Sequence, residues 1–94
     1  MAIFKVKDRE TIASVSSSTG FTAGKLTDFL QYALIQAVSG DIRFTIDGTT
    51  PTSSKGVRLP QDVSLEIWGT EAMSDFLCID DGGTATVEVI YMER

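Results

Sequence analysis

Short runs with a two-residue repeat constrain this chain more than any other feature. In "TVEVIYM", Val87, Val89 and Tyr91 fall on one side and Thr86, Glu88 and Ile90 on the other. "IRFTID" sets Ile42, Phe44 and Ile46 against Arg43, Thr45 and Asp47, and "VSLEIW" sets Val63, Leu65 and Ile67 against Ser64, Glu66 and Trp68. Successive side chains of a strand point to opposite faces, so each run predicts a half-buried strand. "AIFKVK", through Ile3, and the shorter "TIASVS" are further candidates. Between the runs lie "SGD" (39–41), "DGTTPTSSKG" (47–56), "LPQD" (59–62) and "DDGG" (80–83). Glycine supplies positive φ and Asp or Ser bonds to nearby backbone, so these clusters are turns. Many short strands divided by turns predict a sandwich or a small barrel.

One stretch reads two ways. In "LTDFLQYALIQAV" (26–38), Leu26, Phe29, Leu30, Ala33, Leu34, Ala37 and Val38 follow a helical stripe, with Thr22 as a candidate N-cap and Gly40 as a candidate C′ residue. Yet "LTDFLQYAL" is echoed by "MSDFLCID" (73–80), which lies between Gly69 and the "DDGG" turn and has no room for a long helix. That second copy reads as a tight turn over 71–75 running into a strand over 76–79. By the same logic the first copy is a turn entering a strand over 32–38, with "SGD" closing a hairpin onto 42–47.

Ninety-four residues make one domain, 1–94, that buries roughly 60–65% of the surface its unfolded chain exposes. This suffices for one thin core and leaves little depth for a catalytic cleft. The formal charge of −5 and the scattered Lys and Arg residues give no electrostatic footprint for nucleic acid. Lys5, Lys7 and Arg9 suit the solvated face of a first strand. No apolar run approaches the roughly 20 residues of a membrane span, and the charged opening "MAIFKVKDRE" is no signal peptide, so no membrane partner and synthesis in a cytoplasm are expected.

The inventory for catalysis is thin. There is no histidine, and Cys78, the single cysteine, sits in the apolar run "FLCID" as a small buried hydrophobe. No phosphate loop, zinc pattern or partnered pair of acids is present, so neither an enzyme nor a cofactor is expected. Asp41, Asp47, Asp80 and Asp81 are turn residues; oxygen-rich turns can hold Ca²⁺, but none follows the calcium-loop spacing, and no metal site is assigned. Trp68 and Ile90 fall on the outer faces of their strands, where apolar side chains need cover from a loop or from another protein.

The segment "IRFTIDGTTPTSSKGVRLPQDVSLEIWGTEAMSDFLCI" resembles a group of small virion proteins of tailed phages. The shared pattern is an Ile-Arg-aromatic strand, "DGTTPT", a short loop with Gly, a second strand, an Asp-Phe entry into a further strand and a closing strand. It runs from Tyr32 to about Tyr91 and departs at Cys78-Ile79 and in the N-terminal third. The resemblance implies a β-sandwich repeated in many copies on a capsid, neck or tail, without enzymatic activity. The expected fold is all-β: a single small jelly-roll-like sandwich of seven or eight short strands, with at most a short helix or helical turn. The expected function is structural, with copies of itself and capsid, portal or tail proteins as partners and the virion as location. Candidate contact residues are Thr49, Thr50, Pro51 and Thr52, on a loop stiffened by proline and local bonds, together with Trp68 and Ile90. The competing function is a carbohydrate- or ligand-binding sandwich that uses Trp68 or Tyr32 as a stacking platform.

Overall fold

The structure, a computed structural model, describes residues 5–12, 17–26, 30–81 and 85–93. Its centre is the pairing of two long strands, β2 (Leu30–Val38) and β7 (Thr86–Glu93). On β7, Val87, Val89 and Tyr91 are buried and alternate with partly or fully exposed neighbours, as the period-two reading predicts. β1 (Lys5–Ile12) flanks β7 and β5 (Ser64–Trp68) flanks β2, giving one four-stranded sheet ordered β1-β7-β2-β5. The second sheet holds β4 (Val57–Leu59), β3 (Ile42–Thr45) and β6 (Leu77–Asp80) in that order. A six-residue helix, α1 (Thr70–Asp75), leads into β6, and a single 3-10 turn spans Ala23–Lys25.

One further bridge completes the topology. Thr19 and Cys78 exchange N–H···O bonds of 2.9 Å, which places Thr19 on the edge of β6 away from β3. With Thr19 counted as the second of eight strand positions along the chain, the two sheets read 1-8-3-6 and 2-7-4-5. This interleaved antiparallel order is that of a jelly roll. Gly20 lets the segment approach so closely: a Cβ there would stand 2.8 Å from the carbonyl oxygen of Phe76. The all-β sandwich expected from the strand pattern is therefore present, with seven strands and one short helix among the described residues.

The strand expected over 32–38 is present in place of the helical stripe, and it begins two residues earlier, at Leu30. Its inner face carries Leu30, Ala33, Ile35 and Ala37, all buried, with a register shift at Gln31. Several other local expectations are corrected. The expected hairpin across "SGD" does not form, because β2 and β3 belong to different sheets. A jelly roll sends the chain from one sheet to the other at this point. Alternation sets Ile46 with Phe44 and Val63 with Ile67, but both are exposed, since they lie just beyond the ends of β3 and β5, where the pleat no longer sets direction. β4 has no counterpart in the sequence reading; three residues are too few to show a period. Ile3 and residues 13–16 of "TIASVS" lie outside the described residues.

The inner faces of both sheets, with Phe21, Met73 and Phe76, join in one buried cluster. Phe76 stacks on Phe21 with ring centroids 4.3 Å apart and lies 6.0 Å from Phe44 of β3. Phe21 meets Tyr91 of β7 edge-on at 5.5 Å. The aromatic chain thus spans the gap between the sheets, and each well-placed pair adds about 0.5–1.5 kcal/mol to area burial. Tyr91 is fully buried and donates its hydroxyl to Glu10 Oε2 at 2.8 Å, while Thr22 donates to Glu10 Oε1 at 2.9 Å. Burial, with Glu10 as acceptor beside it, pushes the Tyr91 phenol well above its usual range.

Phe76→Ala is expected to destabilise the fold by about 3–5 kcal/mol in denaturant titration, because it opens a cavity between the sheets. Cys78 gives an independent readout. It is fully buried, its Sγ lies 3.4 Å from the carbonyl oxygen of Thr19, and burial pushes its thiol up to about 12. A colourimetric thiol reagent should leave the native chain unmodified and label it stoichiometrically once denatured. Rapid labelling under native conditions would contradict this placement.

Candidate protein-contact surface

The outer face of the four-stranded sheet follows from strand register. Val6 pairs with Met92, Met92 with Tyr32, and Tyr32 with Trp68. Each neighbours an inward residue or its direct partner, so all four side chains stand on the outer face and form one row across the whole sheet. The next row is Arg9, Ile90, Leu34 and Glu66, and the third is Thr11, Glu88, Gln36 and Ser64. The face therefore grades from apolar at one end to polar at the other. Val6 is 61% exposed, Trp68 51% and Ile90 38%. Tyr32 and Trp68 are stacked with centroids 4.3 Å apart, and the Trp68 indole N–H donates to Glu66 Oε1 at 3.3 Å.

A second apolar feature adjoins this face. Between the edge strands β4 and β5 the sandwich opens into a groove of about 330 Å³, lined by Phe44, Ile46, Val57, Leu65, Ile67 and Ala72. Val57 and Ile46 are both largely exposed there. Gly69 donates its N–H to Gln31 of β2. Backbone groups alternate sides along a strand, so Glu66 and Ser64 turn theirs away from β2 toward the groove side.

The six residues proposed from sequence separate into two groups. Trp68 and Ile90 share the outer face, in adjacent rows. The loop residues lie apart, on the connection between β3 and β4. Asp47 accepts from the Thr49 N–H at 3.1 Å and hydroxyl at 2.6 Å, and Thr45 donates its hydroxyl to the Thr49 carbonyl at 2.6 Å. Thr52 and Lys55 exchange backbone bonds around a two-residue tip, and Arg43 donates to the carbonyls of Ser53 and Gly56. The loop is tied back to β3. Thr49, Thr50 and Thr52 are exposed, but Pro51 is fully buried and has no surface to offer a partner. Val6, Leu34 and Met92 were not singled out from sequence. Met92 shares the parity of Ile90, which was the available signal; Val6 needed the register of β1 on β7.

Asp41, Asp47 and Asp81 are engaged by the chain itself, and Asp80 is the last residue of β6 rather than a turn residue. Asp41 pairs with Arg58 Nη2 and accepts the Gln61 N–H at 2.7 Å; Asp81 lies 3.5 Å from Arg43 Nε and 3.3 Å from Arg58 Nε. Among the described residues no three acidic, cysteine or histidine side chains come together to hold a metal. No described helix is long and apolar enough to cross a membrane. The chain matches no protein-family model, no curated protein and no solved structure.

Three carboxyls sit below their ordinary range: Asp41 through the Arg58 hydrogen bond, Asp8 through Lys25 Nζ at 2.7 Å, and Asp47 through Thr49. A carboxyl that titrates lower in the folded chain leaves the unfolded chain holding more protons at low pH. Its contribution is present above the unfolded value of about 3.9 and is lost as pH falls through the folded value. All three are surface groups, so each effect is small. The melting temperature should change little in response to these groups between neutral pH and about pH 5, and should fall below about pH 4. Asp41→Asn should be less stable than the parent at neutral pH and converge toward it in acid, as read by thermal circular dichroism.

Proposed function

We propose that this chain is a structural subunit of a tailed-phage virion that acts through protein–protein contact, as a capsid-decorating or head–tail component. The observation that carries the reading is the apolar row Val6, Met92, Tyr32 and Trp68, backed by Leu34 and Ile90, on the outer face of a sheet. Apolar side chains scattered singly on a surface are ordinary, whereas a contiguous patch on one sheet face with a polar rim is the form of an interaction surface. Aromatic residues and Met are the types enriched at interfaces. The jelly roll is shared by capsid and lectin domains, so it is compatible with the reading without selecting it. The resemblance of residues 32–91 to small virion proteins supplies the particle.

The exposed Trp68 also favours a competing function, binding of carbohydrate by ring stacking. Against it, one face of the Trp68 ring already lies on Tyr32. Glycan-array binding that Trp68→Ala abolishes would replace the contact reading.

Purified particles of the phage that carries the gene should contain the chain as a stoichiometric component by mass spectrometry. Ile90→Lys should fold normally, because Ile90 lies outside the core, yet be depleted from particles roughly tenfold or more, as for loss of an interface hot spot. A chain absent from purified particles overturns the proposal.

A further inference from the structure

We propose that the partner seated on this face is a second copy of the chain, packed sheet to sheet about a twofold axis that runs along the strands between β7 and β2. This deepens the contact reading above and rests on it. The order β1-β7-β2-β5 places that axis at the middle of the sheet. Rotation about it lays β1 of one copy over β5 of the other and β7 over β2, and keeps every cross-strand row at its own level. In the second row, Arg9 of each copy then meets Glu66 of the other, twice by symmetry, and Ile90 meets Leu34. In the apolar row, Val6 meets Trp68, a small side chain against a large one.

The charges argue for a second copy over an unrelated apolar partner. Arg9 and Glu66 sit at opposite ends of one row, so the face is complementary to itself, as an isologous contact requires. Among the described residues Glu66 accepts the Trp68 indole N–H but makes no ion pair, and the Arg9 guanidinium pairs only with Glu88, at 3.6 Å between side chains 72% and 41% exposed. Sheets packed face to face keep their strands within about 30° of each other, which the sheet twist supplies.

Light scattering after size exclusion over a range of concentrations, with charge variants, tests the arrangement. The wild-type chain should form a dimer. Glu66→Arg and Arg9→Glu should each raise the dimer dissociation constant roughly tenfold or more, because each places like charges opposite one another twice. The double variant R9E/E66R should restore it to near the wild-type value. Trp68 is the one tryptophan, so its emission should move to shorter wavelength as the dimer forms. Both substitutions are on exposed side chains, and unchanged circular dichroism confirms that the variants fold. A monomer at every concentration, single variants that leave the dimer intact, or a double variant no better than the singles would each overturn the dimer. The two readings fail separately: a monomer that still enters particles removes only the twofold contact, and a charge-dependent dimer absent from particles removes only the virion role.

Discussion

Phe76 is the contact on which the two-layer arrangement rests. It enters the core at the exit of α1, stacks on Phe21, and lies close to Phe44 of the three-stranded sheet. Phe21 in turn meets Tyr91 of the four-stranded sheet. With one cysteine and no internal disulfide, the gap between the sheets is closed by side-chain packing. Four rings in sequence, Phe44, Phe76, Phe21 and Tyr91, fill it at low entropic cost, because each aromatic side chain has only two torsions to order. Thr19 and Gly20, bonded and packed against β6, bring Phe21 to the position this chain of rings requires.

The edges of the sandwich are treated unequally. On edge strand β1, Asp8 and Glu10 point inward and are satisfied by Lys25, Thr22 and Tyr91. Inward charges on an edge strand discourage another chain from pairing with it. The edge of β6 carries Thr19, and β4 is three residues long, with Arg58 held between Asp41 and Asp81. Among the described residues β5 has no comparable guard, and the apolar groove and Trp68 lie beside it. Ile46, Val57, Val63 and Trp68 are exposed on the side of the molecule where this edge is open, and Val6 carries the apolar row to the opposite edge.

A domain of this size has few ways to cover both faces of a sheet. One face of β2 and β7 is buried against the other sheet; the opposite face has no helix or further layer over it among the described residues and carries Leu34, Ile90, Met92 and Tyr32. Central strands that are apolar on both faces normally have both covered. The proposed contact role follows from that imbalance, and the gradation from apolar to polar rows defines the part of the face to which it applies.

Much of the fold was legible in residue order. β7 and the core of β3 and β5 follow from alternation, β6 from the short "MSDFLCID" echo, and the burial of Cys78 from its apolar run, whereas the tight turn expected over 71–75 is the helix α1. Trp68 and Ile90 on an outer face follow from the same parity. The segment 26–38 was ambiguous because it is apolar on almost every side, so it satisfies a helical and a strand period together; only pairing with β5 and β7 resolves it. The sequence by itself determined which residues can line a strand face, since that depends on neighbours one and two positions away. Sheet membership, the crossing at Ser39–Asp41 in place of a hairpin, the burial of Pro51, and the alignment of Val6, Met92, Tyr32 and Trp68 in one row were decided by tertiary structure. Each depends on register between strands distant in the chain, and register is set by how two sheets close over a shared core.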